Sequence, residues 1–156
     1  MASGRISYQN VAIKYGILVG IAHIVYFLLM GVLGLHDVIE LSFLSGLLLV
    51  IGIIIAISKY KRLKNGMIRY LEGLSIGAIV GFVSSLLLAI FLVVYINIVN
   101  ATYLENLQAS ALFPDSISLL SLFILTIVYG TIPGFLIAFI AMQWFKRADH
   151  TMPERV

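Results

Sequence analysis

The chain has no cysteine. Disulfides, thiolate metal sites and cysteine nucleophiles are therefore excluded. Charge is scarce as well. Only 11% of the 156 residues are Asp, Glu, Lys or Arg, against about 25% in a soluble domain. So little charge cannot cover a water-facing surface. The signatures of several chemistries are missing too. No glycine-rich loop is followed by a phosphate-binding Lys, and no H-E-x-x-H occurs. No carboxylate pair is placed at the membrane surface, and Ser84 has no His–Asp pair to make it a nucleophile. The expectation is a protein that is not an enzyme and carries no cofactor.

What is present is apolar. The composition is 62% hydrophobic with a mean hydropathy of +1.10, so lipid is the main solvent. Four continuous runs, at about 15–35, 39–58, 71–99 and 117–145, each reach the length of ~20 residues that a spanning helix needs. They lack the alternation of a membrane barrel, and a helix satisfies its own backbone in lipid. The fold expected is one all-α domain over 1–156 with four transmembrane helices. The first run is longer than a signal-peptide core of ~7–15 residues and reads as a retained helix.

The ten cations then set an orientation. Arg5 and Lys14 precede the first run. Lys59, Lys61, Arg62, Lys64 and Arg69 lie between the second and third. Lys146, Arg147 and Arg155 follow the fourth. The other two connections contain only Asp37, Glu40, Glu105 and Asp115. Lys and Arg are retained on the cytoplasmic side, which predicts both termini inside and "KYKRLKNG" as a cytoplasmic loop. A second use of that basic loop would be binding anionic lipid head groups. The net charge of +3 does not indicate nucleic acid, because the cations flank apolar spans and form no basic domain.

Local signals refine the scheme. Asn65-Gly66 predicts a turn. "DVIE" (37–40) has the form of a capping box for the second helix, and Asp115 or Ser116 is placed to cap the fourth. Tyr15, Tyr60, Tyr70 and Trp144 fall near the inner interface, and Phe43, Tyr103 and Phe113 near the outer one, as in aromatic belts. Between Asn100 and Ser116, Tyr103, Leu104, Leu107 and Ala111 share one helical face. That predicts a short amphipathic helix on the outer surface.

Within the spans, Gly73, Gly77, Gly81 and Ser85 recur every four residues, in a glycine-zipper pattern. Gly16 and Gly20 in the first run and Gly130 and Gly134 in the fourth have the same spacing. Small residues so spaced let helix backbones approach, within the chain or between chains. The second run, "LLLVIGIIIAI", reads as mainly lipid-facing. "KYGILVG" and "RYLEGLSIG" each set a cation and a Tyr ahead of such a pair, a match that fits a parallel duplication but also arises readily in apolar sequence.

His23 is the one ionisable group near the middle of a span. It is either a neutral residue bonded to a neighbouring hydroxyl or part of a functional site. His36 and His150 fall on opposite sides of the membrane, so no three-His metal site forms. Pro133 removes a backbone donor and predicts a kink. His23, Ser84, Ser85, Thr131 and Pro133 lie at similar depth, and broken helices at that depth bind transporter substrates.

The order of parts carries a resemblance. A hairpin is followed by "ISKYKRLKNGMIRYLEGLSIGAIVGFVSSLL", an outer "YLENLQ" segment and a final Pro-Gly helix. Over nearly its whole length the chain resembles the bacterial four-helix membrane proteins grouped as domain of unknown function 4199. The resemblance implies a bacterial inner membrane and assigns no site residue. Two functions are expected on this basis. The first is an inner-membrane protein acting by helix–helix contact, as an accessory or assembly subunit of a larger complex or as a homo-oligomer. The alternative is a small transporter or channel.

Overall fold

The computed structural model describes residues 7–34, 39–99, 103–105 and 117–147, with side chains except those of 39–43 and 146–147. Four long helices follow one another: α1 (Tyr8–Val32), α2 (Ile39–Leu63), α3 (Tyr70–Ile98) and α4 (Leu119–Arg147). No strand occurs among the described residues. Each helix contains a segment long and apolar enough to cross a membrane. The chain is an all-α, multi-pass membrane protein.

The first helix starts earlier than its apolar run. Ser7 caps it, its Oγ accepting from the Gln9 N–H at 3.3 Å, and Lys14 lies inside the helix. The added turns are held by partners. Ala12 is fully buried, and the Tyr8 ring meets that of Tyr60 edge-on at 6.4 Å. The second helix also runs further than expected. It carries Lys59, Lys61 and Arg62 on its last turns, so only Lys64 to Arg69 form the connection.

That connection has a defined stop. Asn65 is left-handed at φ 54 and Gly66 at φ 91. The Gly66 N–H donates to the Lys61 carbonyl at 2.9 Å and the Asn65 N–H to Arg62 at 3.2 Å. This 6→1 and 5→2 pair is a Schellman motif with Asn in the position that usually takes Gly. Asn tolerates the left-handed region because its short polar side chain bonds locally. Then α3 begins at Arg69, whose N–H donates to Glu72 Oε2 at 3.2 Å. The other Glu72 oxygen lies 3.5 Å from Lys64 Nζ. Lys64 also sits 5.6 Å from the centre of the Tyr60 ring. Its pKa is pushed up, first by a hydrogen bond with Tyr60 and then by the charges of Tyr60 and Glu72.

At the start of α4 the cap is Ser118, whose Oγ accepts from the Ser121 N–H at 3.1 Å. The expected caps Asp115 and Ser116 lie outside the described residues, as do the DVIE residues Asp37 and Val38 and the side chain of Glu40. Of the outer segment only 103–105 is described, as one helical turn. There Tyr103 joins Phe27, Phe91 and Tyr95 in an aromatic cluster, with Phe27 ring centroids 5.2–5.7 Å from the other three.

In space α3 is central. It packs most extensively on α4 and next on α1. Opposite ends of successive helices meet. Besides Tyr8 and Tyr60, the Lys61 ammonium donates to the Phe145 carbonyl at 2.9 Å, and Gln143 Nε2 donates to the Tyr70 hydroxyl at 2.9 Å. The start of α1, end of α2, start of α3 and end of α4 therefore share one end of the bundle. All the described cations lie at that end.

Two expectations fail here. The second helix is not mainly lipid-facing. Leu49, Gly52, Ile53, Ala56, Ile57 and Tyr60 are buried in the core, at the i, i+3, i+4, i+7 spacing of one helix face. Tyr60, at 1% exposure, is thus a core residue and no belt residue, whereas Trp144, at 77%, faces outward. The α1 glycines pack on α3, while the α3 glycines pack on α4, so the two hairpins are not equivalent.

The left-handed stop gives a test. Asn65→Ala should lower stability by about 1 kcal/mol, because Ala enters the left-handed region at that order of cost, while Asn65→Gly should not lower it. Denaturant titration of the purified protein in mixed micelles measures both.

Candidate functional site

The feature with the most defined geometry is the seam between α3 and α4. Small residues pair across it in antiparallel register. Gly73 lies against Met142 and Gly77 against Ala138. Gly81 lies against Gly134, and Ser85 against Gly130. The backbones nearly touch. A methyl group built on Gly81 would sit 2.5 Å from the Gly130 carbonyl oxygen, and one on Gly77 would sit 2.6 Å from that of Gly134. In the other direction, one on Gly134 would sit 2.8 Å from the Gly77 oxygen. Such approach places Cα–H groups against carbonyl oxygens, each contact contributing ~0.5–1 kcal/mol.

The other glycine pair works on the opposite side of α3. A methyl on Gly16 would meet Val83 Cβ at 2.8 Å, and one on Gly20 would meet Leu87 Cδ1 at 2.8 Å and the Ser84 backbone at 3.3 Å. Gly52 of α2 faces the Val19 side chain of α1, a contact the greasy run around it does not reveal. All eight small residues expected to mediate packing thus face another helix of the same chain.

The midplane side chains divide into two groups. Ser85 Oγ donates to the Gly81 carbonyl at 2.7 Å and approaches the Ile127 carbonyl of α4 at 3.3 Å. Thr131 Oγ1 donates to that same Ile127 carbonyl at 2.7 Å. Ser84 Oγ donates within its helix to Gly81 at 3.1 Å. Ser85 and Thr131 meet at the α3–α4 seam, whereas Ser84 bonds within α3 and its backbone lies toward Gly20 of α1. His23 belongs elsewhere. Its Nε2 lies 2.9 Å from the Ser45 carbonyl of α2. A carbonyl only accepts, so Nε2 carries the proton. No hydrogen bond joins His23 to Ser84, Ser85 or Thr131, and its partner is a carbonyl where a hydroxyl was expected. The His23 Nδ1 atom is buried and has no partner among the described residues.

The basic end holds the remaining candidates. Lys61 is tied to Phe145 and Lys64 to Glu72, while Lys59, Arg62 and Arg69 are exposed. A shallow open groove on the outward face of α1 is lined by Asn10, Ile13, Lys14, Ile17 and Leu18. No three metal-ligating side chains converge among the described residues.

Three elements were missed in the sequence: the Phe27–Phe91–Tyr95–Tyr103 cluster, the inward face of α2 and the Arg69–Glu72 helix start. The last had a signal, a Glu three residues after the N-cap position Arg69. The aromatic cluster joins residues far apart in sequence and had none.

The seam makes a sharp prediction. Gly81→Ala should destabilise by about 1–3 kcal/mol, the usual cost of overpacking, because the atom it meets belongs to a backbone that cannot rotate away. Gly46→Ala should not destabilise, since nothing lies within 4 Å of a methyl there. Unfolding midpoints in mixed micelles compare the two.

The chain matches no curated protein and no solved structure. A family described as Protein of unknown function (DUF4199) matches residues 14–147. That match covers α1 from Lys14 through the end of α4, so the chain belongs to this family.

Proposed function

We propose that this chain is a protein of the bacterial inner membrane, with both termini cytoplasmic, that works by helix–helix contact. Its role is that of an accessory or assembly subunit of a larger membrane complex, or of a homo-oligomer, without catalysis of its own. The observation that carries this reading is where the polar side chains point. Ser84, Ser85, Thr131 and His23 all direct a polar atom at a backbone carbonyl. They act as fasteners between or within helices, while the outward surface of α1 and α4 is a wide apolar belt for lipid or for another membrane helix. The exposed cations Lys59, Arg62 and Arg69, with Lys14, gather at one end, which supports the cytoplasmic placement and a contact with anionic head groups there.

The alternative, a small transporter or channel, is favoured by one observation. His23 Nδ1 is a buried acceptor with no partner among the described residues, and an ionisable side chain inside the membrane is a candidate functional position.

Purification in mild detergent followed by mass spectrometry decides between them. Stoichiometric membrane subunits, or copies of the chain, are expected to accompany it. A lone monomer that moves solute in vesicles would reverse the preference. For orientation, the cysteine-free background allows single cysteines at Lys64 and Glu105. In intact cells an impermeant thiol reagent should label Glu105→Cys alone, and labelling of both would refute the assigned topology. At His23, a Gln places its amide near enough to donate to Ser45. His23→Gln should keep partner recovery and activity unchanged across pH 6–8. Loss of activity with assembly intact would make the imidazole functional.

A further inference from the structure

Of the four helices, α4 is the least covered. Only 11% of its most apolar window is buried, against 39% for α3. Its outward ridge is formed by Tyr129, Ile132, Leu136 and Ile140, at 62%, 56%, 52% and 70% exposure. Three of these suit lipid. Tyr129 does not.

Tyr129 stands ten residues into a helix of 29, about 15 Å from its start at ~1.5 Å per residue. That is near the middle of a hydrocarbon layer about 30 Å thick. Tyrosines that face lipid belong at the interface, where the hydroxyl reaches water. The Tyr129 hydroxyl makes no hydrogen bond among the described residues. The same residue carries a second anomaly. Its carbonyl would accept from the N–H four residues on, and that residue is Pro133, which has no N–H. The Thr131 hydroxyl does not serve it, being bound to Ile127. A donor with no bond among the described residues and an acceptor deprived of its i+4 N–H therefore sit on one residue near the bilayer centre. An unsatisfied polar group there costs several kcal/mol.

We infer that the outward face of α4 around Tyr129 is an interface with a second copy of this chain. The pattern of need selects the occupant. A donor and an acceptor on the same residue are mutually satisfied when two identical helices meet about a two-fold axis, because residues near such an axis face their own counterparts. Copies inserted with the same orientation bring Tyr129 to Tyr129 at equal depth. Each hydroxyl donates to the Tyr129 carbonyl of the partner helix, and Ile132, Leu136 and Ile140 interdigitate along the rest of the ridge. This face lies away from the glycine seam, so the α3–α4 packing stays intact in the dimer. The inference rests on the contact-based function proposed above and names its partner.

Disulfide mapping in native membranes tests it. Single cysteines at Ile132 and Leu136 should form cross-linked dimers on oxidation. Cysteines at Val25 of α1 and Ile55 of α2, which are similarly exposed, should not. In bilayer reconstitution Tyr129→Phe should weaken dimerisation by about five- to tenfold, since two equivalent bonds are lost per dimer, with the monomer fold unchanged. Equal cross-linking at all four positions, no effect of Tyr129→Phe, or cross-links from Ile132 only to a different protein would each overturn the homodimer. The last result would leave the contact-based function standing. A chain that cross-links to nothing and co-purifies with nothing would remove both.

Discussion

Everything in this bundle depends on how closely α3 and α4 approach. In lipid the hydrophobic effect does not drive helices together, because the acyl chains are as apolar as the side chains they replace. What remains is packing and a few polar bonds. A hydrogen bond between membrane helices contributes about 0.6 kcal/mol on average. A single pair of carbon atoms contributes only ~0.1–0.2 kcal/mol, but a seam in which two backbones meet brings many such pairs together. Packing therefore outweighs the bonds of Ser85 and Thr131, which reinforce a contact that the glycines make possible. Gly81 and Gly134 permit the approach. Ser85 and Gly130 extend it toward the proline, and Met142 closes it over Gly73.

Once that pair is set, the other helices have limited freedom. The opposite side of α3 offers Val80, Val83 and Leu87 to Gly16 and Gly20 of α1. The α2 helix closes the remaining side, fixed to α1 by His23 and Ser45 and to α4 by Lys61 and Phe145. The result is asymmetric. The central helix is the most covered of the four, and α1 and α4 present most of their surface to the bilayer. A protein built this way has little interior to work with and much exterior, which is why contact is the favoured mode of action.

Number of spans, the Asn65-Gly66 stop and the glycine pairs were legible in the sequence, because each rests on a local rule: length, left-handed tolerance or spacing. Faces were harder. In water an inward face announces itself as the apolar one. In lipid both faces are apolar, so α2 shows Ile51, Ile54 and Ile55 outward and Ile53 and Ile57 inward with nothing in residue type to separate them. Only Gly52, Ala56 and Tyr60 hinted at a packed side. The start of α1 at Tyr8 was hidden for a related reason. Its anchor is Tyr60, remote in sequence and recognisable only once α2 is placed beside it. At the midplane, equal depth brought His23 together with Ser84, Ser85 and Thr131 on paper. Depth does not fix azimuth, and His23 points to α2.

Solid-state NMR of the glycine-labelled protein in bilayers tests the central claim without altering a residue. Gly81 and Gly134 are so close that a methyl on Gly134 would lie 3.0 Å from the Gly81 Cα. A Cα–Cα cross-peak between these two glycines is the predicted result. No such cross-peak, with strong contacts from Gly81 to lipid acyl protons, would show that the glycine face is turned to the bilayer and would contradict the account.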